Sequence, residues 1–212
     1  MLPLVIGGPL YRPSFDFSTL LGKAILMIKL IAAWALALLL TAFLAHKIMT
    51  PKESAPKPQE AFSLASVQIA IEAQFETVDH LPADEFMAMD KNRVLVFDTR
   101  PMAEYAVSHI DGAVQLDPTV SAAKFAQLYG DKATGKTLVF YCSVGHRSSD
   151  MAERVASARP ELGPIYNLRG GLFDWHNQGR PVVNEGGPTD TIHPYNKDWG
   201  QLVTRQDTLS YE

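Results

Sequence analysis

The chain has 212 residues, a net charge of −4 and 47% apolar side chains, room for one ordinary domain with extensions or for two small ones. Without a basic excess it lacks the electrostatic footprint of a nucleic-acid binder, and no nucleic-acid partner is expected. Its single cysteine, Cys142, excludes an internal disulfide and a cysteine-based zinc centre.

Residues 1–23 are apolar but interrupted by Pro3, Gly7, Gly8, Pro9 and Pro13, so disorder is expected there rather than a helix. Residues 24–45 follow as 22 apolar positions broken only by Lys29 and Thr41. At about 1.5 Å per residue such a helix crosses a hydrocarbon core of about 30 Å. With no polar face it does not read as a helix of a soluble domain. Signal-peptide cleavage needs small residues at both −3 and −1; Leu44 spoils the pairing with Ala42, and Phe43 the pairing with Ala45. An uncleaved single-pass anchor is expected; cleavage instead would release the domain to the periplasm. Met27-Ile-Lys29 ahead of residues 30–45 offers an alternative start. Basic residues flank the run on both sides and do not orient it. The usual behaviour of such N-terminal segments places the following domain outside the cytoplasm. Residues 46–62 carry Pro51, Pro56 and Pro58 among charged residues and read as a semi-extended linker.

Residues 63–183 alternate helix-like and strand-like stretches. A helix is predicted over 66–75, packing on the domain behind a serine cap. Helices follow at 82–89, 102–108, 121–129, 148–159 and 171–177, and strands at 93–98, 113–116, 137–141 and 164–168. This alternation predicts an α/β fold, a parallel sheet flanked by helices on both faces, preceded by one N-terminal transmembrane helix. Residues 184–212 form a C-terminal extension without a clear period; the aromatic Tyr195 and Trp199 suggest that it straps back across the domain.

Thr137-Leu-Val-Phe-Tyr141 is an apolar run that ends at Cys142, and a helix is predicted shortly beyond. A cysteine in a strand-to-helix turn faces unpaired N–H groups and the positive end of the helix dipole, which stabilise a thiolate. Gly145 is the residue suited to a positive φ, and Arg147 adds positive charge. The plain alternative is that Cys142 is a small core hydrophobe; its turn, the glycine and the arginine argue against that.

Cys142-Ser-Val-Gly-His-Arg147-Ser148 resembles the active loop of the rhodanese-homology sulfurtransferases. Three further stretches resemble that family in order and spacing: Leu95-Val-Phe-Asp98-Thr-Arg100 with Glu104-Tyr105, His109-Ile-Asp-Gly112-Ala113, and Gly170-Gly171-Leu-Phe-Asp-Trp175 with Gly179 and Pro181. Ser108 stands where glycine is usual. The resemblance implies a rhodanese-like fold with Cys142 as nucleophile, taking sulfane sulfur as a persulfide. It implies substrate binding by Ser143, Val144, Gly145, His146, Arg147 and Ser148, and no metal or organic cofactor. The partners it implies are a small sulfur-donor anion and a thiol acceptor, with a protein acceptor as a further possibility.

Arg100 has two readings, a substrate-side cation or a structural ion pair with Asp98 or Glu104, and the second is favoured. His109 is expected to be a hydrogen-bonded turn residue, and Phe173 and Trp175 core. Two rival functions remain. A cysteine-dependent phosphatase needs five residues between cysteine and arginine, whereas four intervene here. A non-catalytic, membrane-tethered binding module would have no use for a complete loop.

Overall fold

The computed structural model describes residues 62–211 and, upstream, Met27, Lys29, Trp34, Ala35, Leu38 and Thr41, all six helical. The expected membrane segment 24–45 and linker 46–62 thus fall largely outside the described residues, as does the stretch 1–23. Among the described residues no helix is long and apolar enough to cross a membrane. The described residues 62–211 belong to one compact unit and the six upstream residues to another.

The first element of the larger unit is α1, Leu64–Gln74. Ser63 caps it, and the helix starts two residues before the predicted start. Its hydroxyl accepts from Ser66 N, while Ser66 Oγ accepts from Ser63 N, so two otherwise unpaired donors are satisfied reciprocally. In chain order follow β1 (Asp79–Leu81), α2 (Ala83–Ala88), β2 (Val94–Asp98), α3 (Met102–Val107), β3 (Val114–Gln115), α4 (Ala122–Ala133), β4 (Thr137–Tyr141), α5 (His146–Ala158), β5 (Ile165–Leu168) and α6 (Gly171–Asn177).

The five strands form one sheet in the order β1-β5-β4-β2-β3, and every pair is parallel. Central β4 is buried at Leu138, Val139, Phe140 and Tyr141, the near-continuous apolar run of a strand covered on both sides. Phe97, Phe125 and Phe140 meet ring to ring with centroids 5.2–5.5 Å apart and tie β2, α4 and β4 into the core. After β2 the chain turns outward to β3 and then crosses to the opposite side of β2 as β4. That reversal opens a crevice at the carboxyl ends of β2 and β4, where such sheets bind ligands.

The structure adds three strands to the predicted set. Edge strand β1 pairs with β5 in the register Leu81↔Leu168, and β6 (Val182–Asn184) pairs with β7 (Gly187–Thr189) as an antiparallel hairpin. Helix α4 runs past Gly130 to bury Ala133, four residues beyond its predicted end. Helix α5 begins at His146, so His146 and Arg147 lie in its first turn rather than in the preceding loop.

The C-terminal residues do strap back. Ile192, Leu202 and Val203 are buried in the same core as the sheet. Asn177 of α6 holds Leu202 O through its amide nitrogen and Thr204 N through its amide oxygen, each at 2.8 Å. His176 is fully buried with Nε2 3.0 Å from Asp190 O; burial lowers its pKa and keeps the ring neutral. A short helix, α7 (Lys197–Gly200), lies within this segment and carries Trp199.

Candidate active site

Cys142 follows the last residue of β4 and is only 1% exposed. The next three residues turn the chain through Gly145, whose φ of 109° and ψ of −10° favour glycine, into α5. There the Gly145 N–H points back at the cysteine, 3.2 Å from Sγ. The sulfur thus lies against the amino end of a 13-residue helix, where the dipole and unpaired amides favour negative charge.

A second helix start supports the turn from below. Leu172 N and Phe173 N, in the first turn of α6, donate to Cys142 O and Ser143 O at 2.8 and 2.9 Å. The helix satisfies its own free donors by gripping the loop. Ser148 and Ser149 close the other side, with Oγ 3.1 and 2.7 Å from Gly145 O; Ser148 also bonds Asn167 Oδ1 at 2.6 Å.

Arg147 is less free than the sequence suggests. Its guanidinium makes a two-pronged pair with Glu104 of α3, Nη1 to Oε1 at 2.9 Å and Nη2 to Oε2 at 3.1 Å. Ser143 Oγ completes a triangle, donating to Glu104 Oε2 and accepting from Arg147 Nη2, each at 2.9 Å. Burial acts against ionisation of Glu104, but the bonds and charge of Arg147 outweigh it and hold the carboxyl below its usual range. Burial likewise opposes the charge on Arg147, yet Glu104 and the neighbouring Cys142 sulfur raise its pKa above the ordinary arginine value. The Tyr195 ring lies over the guanidinium at 5.4 Å.

Of the expected binding residues, Cys142, Ser143, Val144, His146 and Arg147 line one cavity. Gly145 and Ser148 do not line it; Gly145 N donates to Cys142 Sγ and Ser148 Oγ to Gly145 O. Arg100 does not join them: its side chain is fully buried outside this cavity, paired with Asp98 at 2.6 Å and donating to Ser108 O at 2.6 Å, which corrects the substrate-side reading and bears out the favoured ion pair. Glu104, the other candidate partner of Arg100, belongs to Arg147 instead. His109 stacks on Tyr105 at 3.8 Å with Nδ1 3.1 Å from Tyr105 O, a turn residue as expected. Phe173 and Trp175 are core, also as expected. Among the described residues no three His, Cys, Asp or Glu side chains converge to hold a metal ion.

The opposite walls of the cavity come from residues that sequence reasoning did not place there. Helix α1 supplies one wall, and Tyr195 and Trp199 of the C-terminal segment supply the other. The aromatics are visible in the sequence; their target is not.

The model of the Rhodanese-like domain family matches residues 83–178. A sulfurtransferase of Allochromatium vinosum is 31% identical over 94 residues, which cover 44% of this chain and 82% of that protein. The chain therefore belongs to the rhodanese-like domain family. An uncharacterized protein of Synechocystis is 34% identical over 93 residues, and the chain spans about half of it, 49%, using 44% of its own length. A solved thiosulfate sulfurtransferase from Pseudomonas aeruginosa aligns at 18% identity and a TM-score of 0.46, covering 68% of this chain and 26% of that one.

Proposed function

We propose that the protein is a sulfurtransferase that carries sulfane sulfur on Cys142. The observation that carries this reading is the Cys142 turn, with the sulfur 3.2 Å from Gly145 N at the amino end of α5 and beside Arg147. A thiolate there attacks the outer sulfur of a donor such as thiosulfate. The bond to the sulfite sulfur breaks, its electron pair departs with sulfite, and a Cys142 persulfide anion remains. An acceptor nucleophile, cyanide in an assay or a thiol in the cell, attacks the outer sulfur and returns the thiolate. Splitting one transfer into two displacements is the benefit of a covalent intermediate, and amide donors fixed by the turn stabilise the anion at both stages. Ser143, Val144, Gly145, His146, Arg147 and Ser148 form the cradle, with Arg147 and Ser143 held in place by Glu104.

Thiosulfate-to-cyanide transfer by the full chain tests this against the phosphatase reading. Activity is expected in the wild type, loss of at least about a thousandfold in Cys142→Ala, and no cleavage of a phosphate ester. Ester hydrolysis without sulfur transfer would reverse the assignment.

From the sequence we further propose that residues 24–45 tether the domain to a membrane, with the domain outside the cytoplasm. Its support is the 22-residue apolar run and the proline-bearing linker that follows. Expressed in a bacterial host, the full chain is expected in the membrane fraction and a chain lacking residues 24–45 in the soluble one. Equal partitioning of the two would remove the tether.

A further inference from the structure

The cavity in front of Cys142 has a volume of about 500 Å³. That suits a small organic molecule and far exceeds the needs of cyanide or sulfite. Its walls are apolar: Val67, Ala70 and Ile71 on α1, Val144 beside the cysteine, and Tyr195 and Trp199 opposite. The remaining lining is polar, Gln74 at the end of α1 and Ser143, His146 and Arg147 near the sulfur in sequence, and Arg147 is already matched by the Glu104 carboxylate. A bare anion entering the cavity finds one strong cation, and that cation is neutralised. An apolar body finds a slot.

The slot is also built, not left over. Trp199 contacts the ring of Phe62 at 5.7 Å, so the C-terminal wall reaches the start of the α1 wall. Tyr195 has a φ of 67°, and among the described residues it alone other than glycine takes a positive φ. Such a conformation costs about 1–3 kcal/mol and persists only where the surroundings impose it. Here it sets the ring over Arg147 at the cavity mouth. Both walls, α1 and the segment with Tyr195 and Trp199, lie outside the matched residues 83–178, so the slot is an addition to the shared domain.

Building on the sulfurtransferase reading, we infer that the acceptor is a small organic thiol with an apolar or aromatic body. It sits between α1 and the C-terminal segment with its sulfur toward Cys142. The acceptor thiolate attacks the outer sulfur of the Cys142 persulfide, the S–S bond to Sγ breaks, and the electron pair returns to Cys142 as thiolate. The new persulfide departs on the acceptor, with no net oxidation or reduction.

The test uses the full chain with thiosulfate as donor and three acceptors: cyanide, 2-mercaptoethanol and benzyl mercaptan. The readout is the ratio of kcat/KM for benzyl mercaptan to that for 2-mercaptoethanol, which cancels effects on persulfide formation. Ala70 is exposed on α1, so Ala70→Phe fills the slot without disturbing the core. The ratio is expected to fall about tenfold in Ala70→Phe and to fall also in Trp199→Ala, the range expected when an apolar subsite is blocked or opened. A ratio that moves in neither variant, while both thiols still receive sulfur, overturns the slot and leaves the sulfurtransferase reading standing. Failure of the wild type to transfer sulfur to any acceptor, cyanide included, overturns that reading and the inference with it.

Discussion

Asp98→Ala is expected to destabilise the protein by about 3–5 kcal/mol, the range for stripping one partner from a buried ion pair. Asp98 and Arg100 are both fully buried. The carboxylate accepts from Arg100 Nε, Nη2 and backbone N at 2.6–3.1 Å. Burial opposes the charge on Arg100, and Asp98 outweighs it, so the arginine pKa lies above its ordinary value. Without Asp98 the guanidinium stays charged and keeps only the Ser108 carbonyl. The loss reaches the site, because β2 and β4 are in register at Asp98↔Tyr141, one residue before Cys142. Thermal unfolding measures it: a fall in Tm of about 10 °C is expected, from about 2–4 °C per kcal/mol for a domain of this size. Asp98→Asn combined with Arg100→Met should recover part of the loss, because an apolar replacement leaves no buried charge unmatched. A single variant as stable as the wild type would show that the pair is not the brace described.

Gly171→Ala is expected to be nearly as damaging and to act directly on the turn. A Cβ there would stand 2.4 Å from Cys142 O and 2.8 Å from Ser143 O, both backbone atoms that cannot swing aside. The closeness is needed, since Leu172 N and Phe173 N bond those same carbonyls. The positive φ of 58° adds strain of its own. The variant should lose about 3 kcal/mol or more in urea unfolding and most of its sulfur transfer. Gly135 is the matched control, with a φ of 73° and nothing within 4 Å of the point a Cβ would occupy; there alanine should cost only about 1 kcal/mol. Equal losses at the two positions would mean that backbone strain alone, and not the grip of α6 on the loop, accounts for Gly171.

The parts of this architecture legible in the sequence are those specified by neighbouring residues. The apolar stretch of β4, the glycine at 145 and the arginine at 147 lie within eleven residues of one another and define the turn without outside help. Asp98 and Arg100 pair across a two-residue interval, which the sequence alone makes visible. What stays hidden depends on the sheet bringing distant residues together. Glu104 and Arg147 are 43 positions apart, and no local pattern marks them as partners. Strand β1 has one buried apolar residue, Leu81, and exists through its backbone pairing with β5 rather than through alternation. Gly130 reads as a helix end, but burial of Ala133 and the bond from Thr134 N to Gly130 O outweigh the modest cost of a helical glycine. The C-terminal segment has no period because it is held by individual anchors, Ile192, Leu202 and Val203, rather than by one face of a regular element.

Sulfur loading of Cys142 is measured most directly by the intact mass of the full chain after incubation with thiosulfate and removal of excess donor. Addition of one sulfur atom is expected, confined by peptide mapping to Cys142, absent in Cys142→Ala and discharged by cyanide with recovery of the starting mass. A chain whose mass does not change, although Cys142 remains reduced and the protein folded, would contradict the persulfide mechanism.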